Sequence, residues 1–287
     1  MRRSLIRLAT TLALALAASS LTAAAAPTKP GKPPKAKAEK PAKLDMERYR
    51  RVLDTGSEAE MLGALSELAA LGKSAAAAAP LIDGLLGRGA NSGVLLAALE
   101  TEGQLGAPTS SDAVAPYVSH RKPEIRRAAA LALGSTGGAS AVTALRRALS
   151  GPDSAVRGVA ATGLGTLGAK EAVDDLFTVL SHDTPQAALS IALLCAPEQC
   201  DRLMALVGKL KFEVLEGAFV PLLLRPSGEL PDANKLRYIE RLRVLATRPA
   251  AAVLQSTLTR LPKDESPALR AAIQTALKAR PIVGDTK

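Results

Sequence analysis

Residues 123–182 read PEIRRAAALALGSTGGASAVTALRRALSG (123–151) followed by PDSAVRGVAATGLGTLGAKEAVDDLFTVLSH (152–182). The second segment restates the first at a shift of 31 residues. Ile125-Arg126 answers Val156-Arg157, Leu133-Gly134 answers Leu164-Gly165, Val142 answers Val173, Leu145 answers Leu176 and Ser150 answers Ser181. A fixed period of this length means stacked supersecondary units in place of one closed core.

Each copy carries two helical stripes. Ile125, Ala128, Ala129, Ala132 and Leu133 fall at i, i+3, i+4, i+7 and i+8, and Val156, Val159, Ala160, Gly163 and Leu164 repeat them. The Gly after each Leu is expected to stop that helix in a left-handed cap. A second stripe follows: Val142, Leu145 and Leu149, then Val173, Leu176, Phe177 and Leu180. Asp153 stands at an N-cap position. One such pair cannot bury its apolar face without a copy on each side.

The stretch PEIRRAAALALG…AVTALRRALSGPDSAVRGVAATGLG resembles the HEAT repeat, in the short form called PBS-lyase HEAT-like. The Ile125-Arg126 and Val156-Arg157 pairs, the Leu-Gly steps and Pro152-Asp153 carry the likeness. The resemblance implies an all-α fold, an α-solenoid whose second helices tend to line a concave binding face, and the setting of an exported bacterial HEAT-repeat protein. The lyase activity of some relatives is not carried over, because no reactive side chain in this sequence matches it.

The same ruler extends outward. Gly72, Gly103, Gly134 and Gly165 keep the step, as do Leu68, Leu99, Ala130, Ala161 and Ala192. Leu105-Gly106 is the better Leu-Gly match in its unit, which predicts a small insertion there. Second helices are expected at 79–86 and 113–118, with Pro80 and Pro116 in their first turns. Beyond Ser181 the pattern weakens. Residues 185–195 and 198–210 read as one more pair, followed by helices near 212–224, 233–247, 250–260 and 267–279. The expectation is about six or seven stacked antiparallel pairs over residues 44–280, regular over 44–199 and degenerate or capping over 200–280. Leu44–Leu53 is the expected opening cap, and 281–287 a disordered tail.

Residues 1–25 have the parts of a secretory signal: Arg2, Arg3 and Arg7, an apolar run from Leu8 to Leu16, and Ala23–Ala25 for cleavage. The expected protein is periplasmic or extracellular, with no membrane span once cleaved. The general secretory route fits better than the twin-arginine one, although Arg2-Arg3 resembles the latter. Residues 26–43 form a Pro/Lys/Ala tract expected to be a disordered linker. Residues 1–43 hold nine Lys/Arg against Glu39, so most of the formal net charge of +10 lies there. Residues 44–200 hold 13 basic and 17 acidic side chains, and residues 201–287 hold 15 and 9. The basic C-terminal third and the linker lysines together would favour an anionic envelope polymer.

Chemistry is sparse. Gly163, Gly165 and Gly168 spell G-x-G-x-x-G, but they end a helix where a dinucleotide site needs a preceding strand. His120 and His182 are two repeats apart, on the order of 20 Å at ordinary helix spacing, too far to share a metal. No metal, cofactor or catalytic group is expected. Cys195 and Cys200 are expected to form a disulfide after export, with two free thiols as the alternative. Arg146-Arg147 and Asp174-Asp175 lie on successive second helices, as an inter-repeat ion pair or as part of a recognition face. Lys235, Arg237, Arg241, Arg243 and Arg248 share a basic segment with Tyr238. Aromatics make up 2% of the chain, and nucleic-acid binding, which prefers stacking rings on a basic stripe, is not expected. The sequence therefore predicts a monomeric, non-enzymatic scaffold that binds a partner protein through its concave face, with Arg146, Arg147, Asp174, Asp175, Lys235, Arg237 and Arg241 as candidate contacts. Adhesion to an anionic envelope polymer is the alternative.

Overall fold

The computed structural model describes residues 44–182, 184–262 and 266–278, and all the helices named below lie within them. The signal, the linker and the C-terminal tail expected from the sequence lie outside the described residues.

The described residues open with α1 (Met46–Thr55) and then alternate between two rows. The pairs are α2 (Glu58–Leu71) with α3 (Ala79–Arg88), α4 (Ser92–Leu105) with α5 (Ser111–Val114), α6 (Pro123–Thr136) with α7 (Ala139–Leu149), and α8 (Ser154–Thr166) with α9 (Val173–Leu180). They continue as α10 (Pro185–Leu194) with α11 (Pro197–Met204), α12 (Phe212–Leu223) with α13 (Asp232–Leu245), and α14 (Arg248–Arg260) with α15 (Pro267–Lys278). Short 3-10 segments at Gly72–Ala78, Pro108–Ser110, Ala115–Ser119 and Lys170–Ala172 lengthen the second helices of the regular units.

Even-numbered helices pack on one another in sequence from α2 to α14, and this is the first row. In the second row α1 packs on α3, α3 on α5, α5 on α7, α7 on α9, α11 on α13 and α13 on α15. The α9–α11 step is bridged by Arg202, which lies 4.0 Å over the Phe177 ring. Four first-row starts (Ser92, Pro123, Ser154 and Pro185) are 31 residues apart. The later starts, Phe212 and Arg248, break that step, yet the rows continue unbroken. The C-terminal helices belong to the same stack.

Local rules set the boundaries. Ser57 and Glu60 form a capping box at α2, Asn91 Oδ1 accepts from Val94 N–H at α4, and Asp153 Oδ1 accepts from Ala155 and Val156 N–H at α8. The expected Leu-Gly stop is corrected. Gly134 and Gly165 lie inside α6 and α8, which run on to Thr136 and Thr166. The true turns are Gly106, Gly137 and Gly168, with φ of +61°, +75° and +70°, again 31 apart. Gly106 is therefore in register with the other two, and its unit carries no insertion. The expected 198–210 helix is also shorter, ending at Met204 before a turn in which Val207 bridges Leu210.

The interior glycines serve close packing. A Cβ on Gly134 would lie 3.1 Å from Gly163 Cα, one on Gly103 3.3 Å from Ala132 Cα, and one on Gly165 2.4 Å from Ser190 Oγ. The alanines beside them, Ala129, Ala130, Ala160, Ala161, Ala187, Ala188 and Ala192, are buried. First-row helices thus meet backbone to backbone, with larger residues such as Leu133, Leu145, Leu164 and Leu176 filling the space between rows. Gly134→Ala is expected to destabilise the protein by about 1–3 kcal/mol through overpacking. Gly63→Ala, in an open stretch of α2 with nothing within 4 Å of its Cβ, is expected to stabilise it by about 0.5–1 kcal/mol. Denaturant unfolding of the two variants checks this pair of opposite signs.

Candidate binding surface

The charged side chains singled out in the sequence are tied to their neighbours along the second row. Arg146 Nε on α7 meets Asp175 Oδ2 on α9 at 2.5 Å, Asp174 on α9 meets Arg202 on α11 at 2.9 Å, and Asp201 on α11 meets Arg237 on α13 at 2.9 Å. Arg88 on α3 pairs with Asp54 on α1 at 2.8 Å. The result is a ladder of ion pairs, each spanning adjacent second-row helices. These are exposed pairs and contribute little singly, but their charges are turned towards one another.

Lys235 requires a correction. It is fully buried and its Nζ lies 3.4 Å from Asp232 Oδ1 and from Ser227 Oγ, so it offers no surface charge. Arg241 donates to the Val207 carbonyl and Arg243 pairs with Glu240. The basic run of the C-terminal third is therefore spent largely on internal contacts. Arg147 is exposed and edges two shallow depressions near the loop side of α7.

Asp201 is the best-connected member of the ladder. It accepts from Tyr238 Oη at 2.5 Å, from Arg237 Nη2 at 3.0 and 2.9 Å, and from Asn234 Nδ2 at 3.3 Å. Partial burial pushes its carboxyl up, but the Tyr238 hydroxyl and the Arg237 guanidinium together hold it below the ordinary aspartate value. Burial and the Asp201 charge raise the Tyr238 phenol.

The Val/Ile-Arg arginines brace the loops. Arg126 Nη1 donates to the His120 and Arg121 carbonyls, each at 3.1 Å, and its Nη2 reaches Asp153 at 3.2 Å. Arg157 repeats this on the Gly151 and Pro152 carbonyls, and Arg270 on those of Leu261 and Pro262. His120 Nδ1 accepts from Lys122 N–H, and His182 lies exposed at the end of α9. Among the described residues, no three His, Cys, Asp or Glu side chains gather at metal-binding spacing. Gly163 and Gly165 lie within α8 and Gly168 at its turn, where no strand precedes them.

Cys195 and Cys200 lie at disulfide distance with Cα atoms 5.3 Å apart, both buried. Cys195 ends α10 without a left-handed glycine. Arg225, after α12, donates to its carbonyl at 2.7 Å and pairs with Glu229 at 3.2 Å. A sulfur link and a guanidinium replace the glycine turn at this repeat.

The first row presents a different surface, which sequence reasoning missed. Its outward positions follow the 31-residue step as Glu100, Leu131, Thr162 and Leu193, and Leu131 and Leu193 are 54% and 45% exposed. Between α6 and α8 lies an open depression of about 480 Å³, edged by Arg127, Leu131, Ser135, Val159, Thr162 and Gln186. Its floor includes Gly134, Gly158 and Gly163, where missing side chains leave room. Arg127 is the one charged residue along its lining. The signal was present in the sequence: Leu131 and Leu193 sit off the buried stripe of their own helices.

Asp201→Asn is expected to cost about 1 kcal/mol at neutral pH, the net worth of a hydrogen bond after allowing for solvent screening. Because the Asp201 carboxyl is depressed in the folded state, its contribution is present above the ordinary aspartate pKa and lost as pH falls through its folded value. The variant should therefore lose part of the acid limb of the stability–pH profile, as measured by thermal unfolding between about pH 2 and 7.

Comparison with known proteins places this geometry. The family described as HEAT repeats matches residues 78–159. No curated protein matches the chain. Among solved structures, the complex of CpcE and CpcF of phycocyanin lyase from a Nostoc species aligns over 85% of this chain and 98% of that one, at 17% identity and a TM-score of 0.46. A homology model of the full-length AP-3 complex in an intermediate open conformation aligns over 85% of this chain and 52% of that one, at 14% identity and a TM-score of 0.51. An engineered protein aligns over 82% and 77%, at 17% identity and a TM-score of 0.47. At 14% identity, the likeness to the AP-3 homology model is one of fold alone.

Proposed function

We propose that this chain, a HEAT-like α-solenoid, is an exported scaffold that holds a partner protein against the outward face of its first row, centred on α6, α8 and α10. The observation that carries the reading is the division of labour between the rows. Arg146, Asp174, Asp175, Asp201, Arg202 and Arg237 of the second row are engaged in the inter-helix ladder, whereas the first row leaves Leu131 and Leu193 exposed on either side of Thr162. The trough between α6 and α8, with Arg127 as its one charged lining residue, suits a largely apolar segment of a partner that covers Leu131 and continues to Leu193.

Export rests on residues 1–25 and on the Cys195–Cys200 pair, which is suited to an oxidising compartment. Adhesion to an anionic polymer would lean on the Pro/Lys/Ala tract of residues 26–43, since Lys235, Arg237, Arg241 and Arg243 are already engaged.

The test is crosslinking capture from the envelope fraction of the source cells, followed by affinity measurement with the partner recovered. Leu131→Asp and Leu193→Asp should each weaken binding at least tenfold, while thermal stability stays within about 0.5 kcal/mol of wild type because both sites are exposed. Affinity unchanged by both substitutions would remove the first-row face from consideration. Capture that is lost on deleting residues 26–43 and falls steeply with salt would favour the polymer reading.

A further inference from the structure

The repeat breaks its own pattern at one place in the interior. Glu102 on α4 occupies the register of Leu133 on α6 and Leu164 on α8. Asp83 on α3 occupies that of Val114, Leu145 and Leu176, and Ser110 occupies that of Ala141 and Ala172. All the apolar counterparts are buried. In the α3–α4 seam the same three positions carry two carboxyl groups and a hydroxyl.

These groups are poorly satisfied. Glu102 and Ser110 are fully buried, and both Glu102 carboxylate oxygens, Asp83 Oδ1 and Ser110 Oγ lack a hydrogen-bond partner of ordinary geometry. An ionised carboxylate left so would be costly, and the physical remedy is a proton. Burial, reinforced by the neighbouring Asp83 charge, pushes Glu102 up to about 8 despite the nearby Ser110 hydroxyl. Burial also raises Asp83, again opposed by Ser110.

Other charges on the elements around α4 are directed elsewhere. Glu67 of α2 pairs with Arg48, Arg88 of α3 with Asp54, and Arg126 of α6 with Asp153. Glu58 and Glu60 lie at the far end of α2, with Glu60 held in the Ser57 capping box. Arg127 and Glu124 of α6 and Glu100 of α4 itself are exposed. Lys73 is exposed and its stem lies by Gly106, past the end of α4. Asp83 is the charged group that bears on Glu102.

We propose that Glu102, Asp83 and Ser110 form a proton-dependent latch between the first and second helix pairs, closed while the buried Glu102 carboxyl holds its proton and loosened when it is lost. Two carboxylates and a hydroxyl supply at most about five oxygens, short of the six to eight that calcium takes, so the proton is the better-fitting occupant. The sign follows from linkage. A carboxyl raised in the closed state gives stability that is complete below its open-state value near 4.5 and falls as pH rises towards its closed-state value near 8. The opening equilibrium of the α3–α4 seam should climb by up to about tenfold per pH unit across that window and level off above it.

Amide hydrogen exchange on the full chain from about pH 5 to 9, corrected for intrinsic exchange and referenced to α8, tests the latch. The expected result is a pH-dependent loss of protection in α3 and α4 that Glu102→Gln and Glu102→Leu both flatten. Glu102→Leu, which restores the residue found at positions 133 and 164, should also raise the melting temperature at alkaline pH. An α3–α4 slope matching that of α8, or one left intact by both variants, would overturn the proposal. So would calcium at about 1 mM, the range of weak extracellular sites, if it restored protection at alkaline pH in the wild type and not in Glu102→Gln, for that would make the cluster a cation site.

Discussion

The structure depends on how closely first-row helices can approach. At Gly134 against Gly163, and Gly103 against Ala132, the backbones come so close that an added methyl group would sit 3.1 and 3.3 Å from the facing Cα and force the neighbour to yield. Spacing this short lets each helix touch its neighbours along a long stripe, and it excludes any bulky residue from the line of contact. Dispersion contacts at this density stabilise the stack without the large aromatics that most cores use. The 2% aromatic content follows from that geometry. The same glycines, Gly134 and Gly163, line the trough between α6 and α8.

The fold was largely legible because a repeat states its rule several times. The 31-residue step, the two apolar stripes, Asp153 as a cap and the paired second helices all appear in the structure as the sequence implied. What failed was the reading of glycine. A Leu-Gly step at regular spacing looks like a helix stop, and only packing distinguishes it from a contact glycine. Gly137 and Gly168, three residues after Gly134 and Gly165, are the real turns. The second failure was Lys235, assigned to a basic face from its neighbours in sequence. Its burial depends on Asp232 and Ser227 closing over it, which no local pattern announces.

The inter-repeat ion pair read between Arg146-Arg147 and Asp174-Asp175 forms, as Arg146 with Asp175. The partners of Asp174 and Arg237, each one helix along, were set by three-dimensional register and not by any local pattern. Long charged side chains span adjacent second-row helices. The exposed leucines of the first row were visible in the sequence too. An Ala-rich helix draws attention to its buried stripe, and Leu131 falls on the other face.

Stacking in one dimension also explains how the chain tolerates a polar patch inside its core. In a closed globular core, two buried carboxyl groups at leucine positions would disturb every layer around them. Here each pair contacts only its neighbours, so the cost of Glu102 and Asp83 is confined to the seam between α3 and α4. The neighbouring interfaces, built on Leu133, Leu145 and Leu164, keep their apolar packing. A defect confined to one interface does not weaken the stack evenly. It marks the place where the stack opens first, and because that place carries carboxyl groups, it ties the opening to pH.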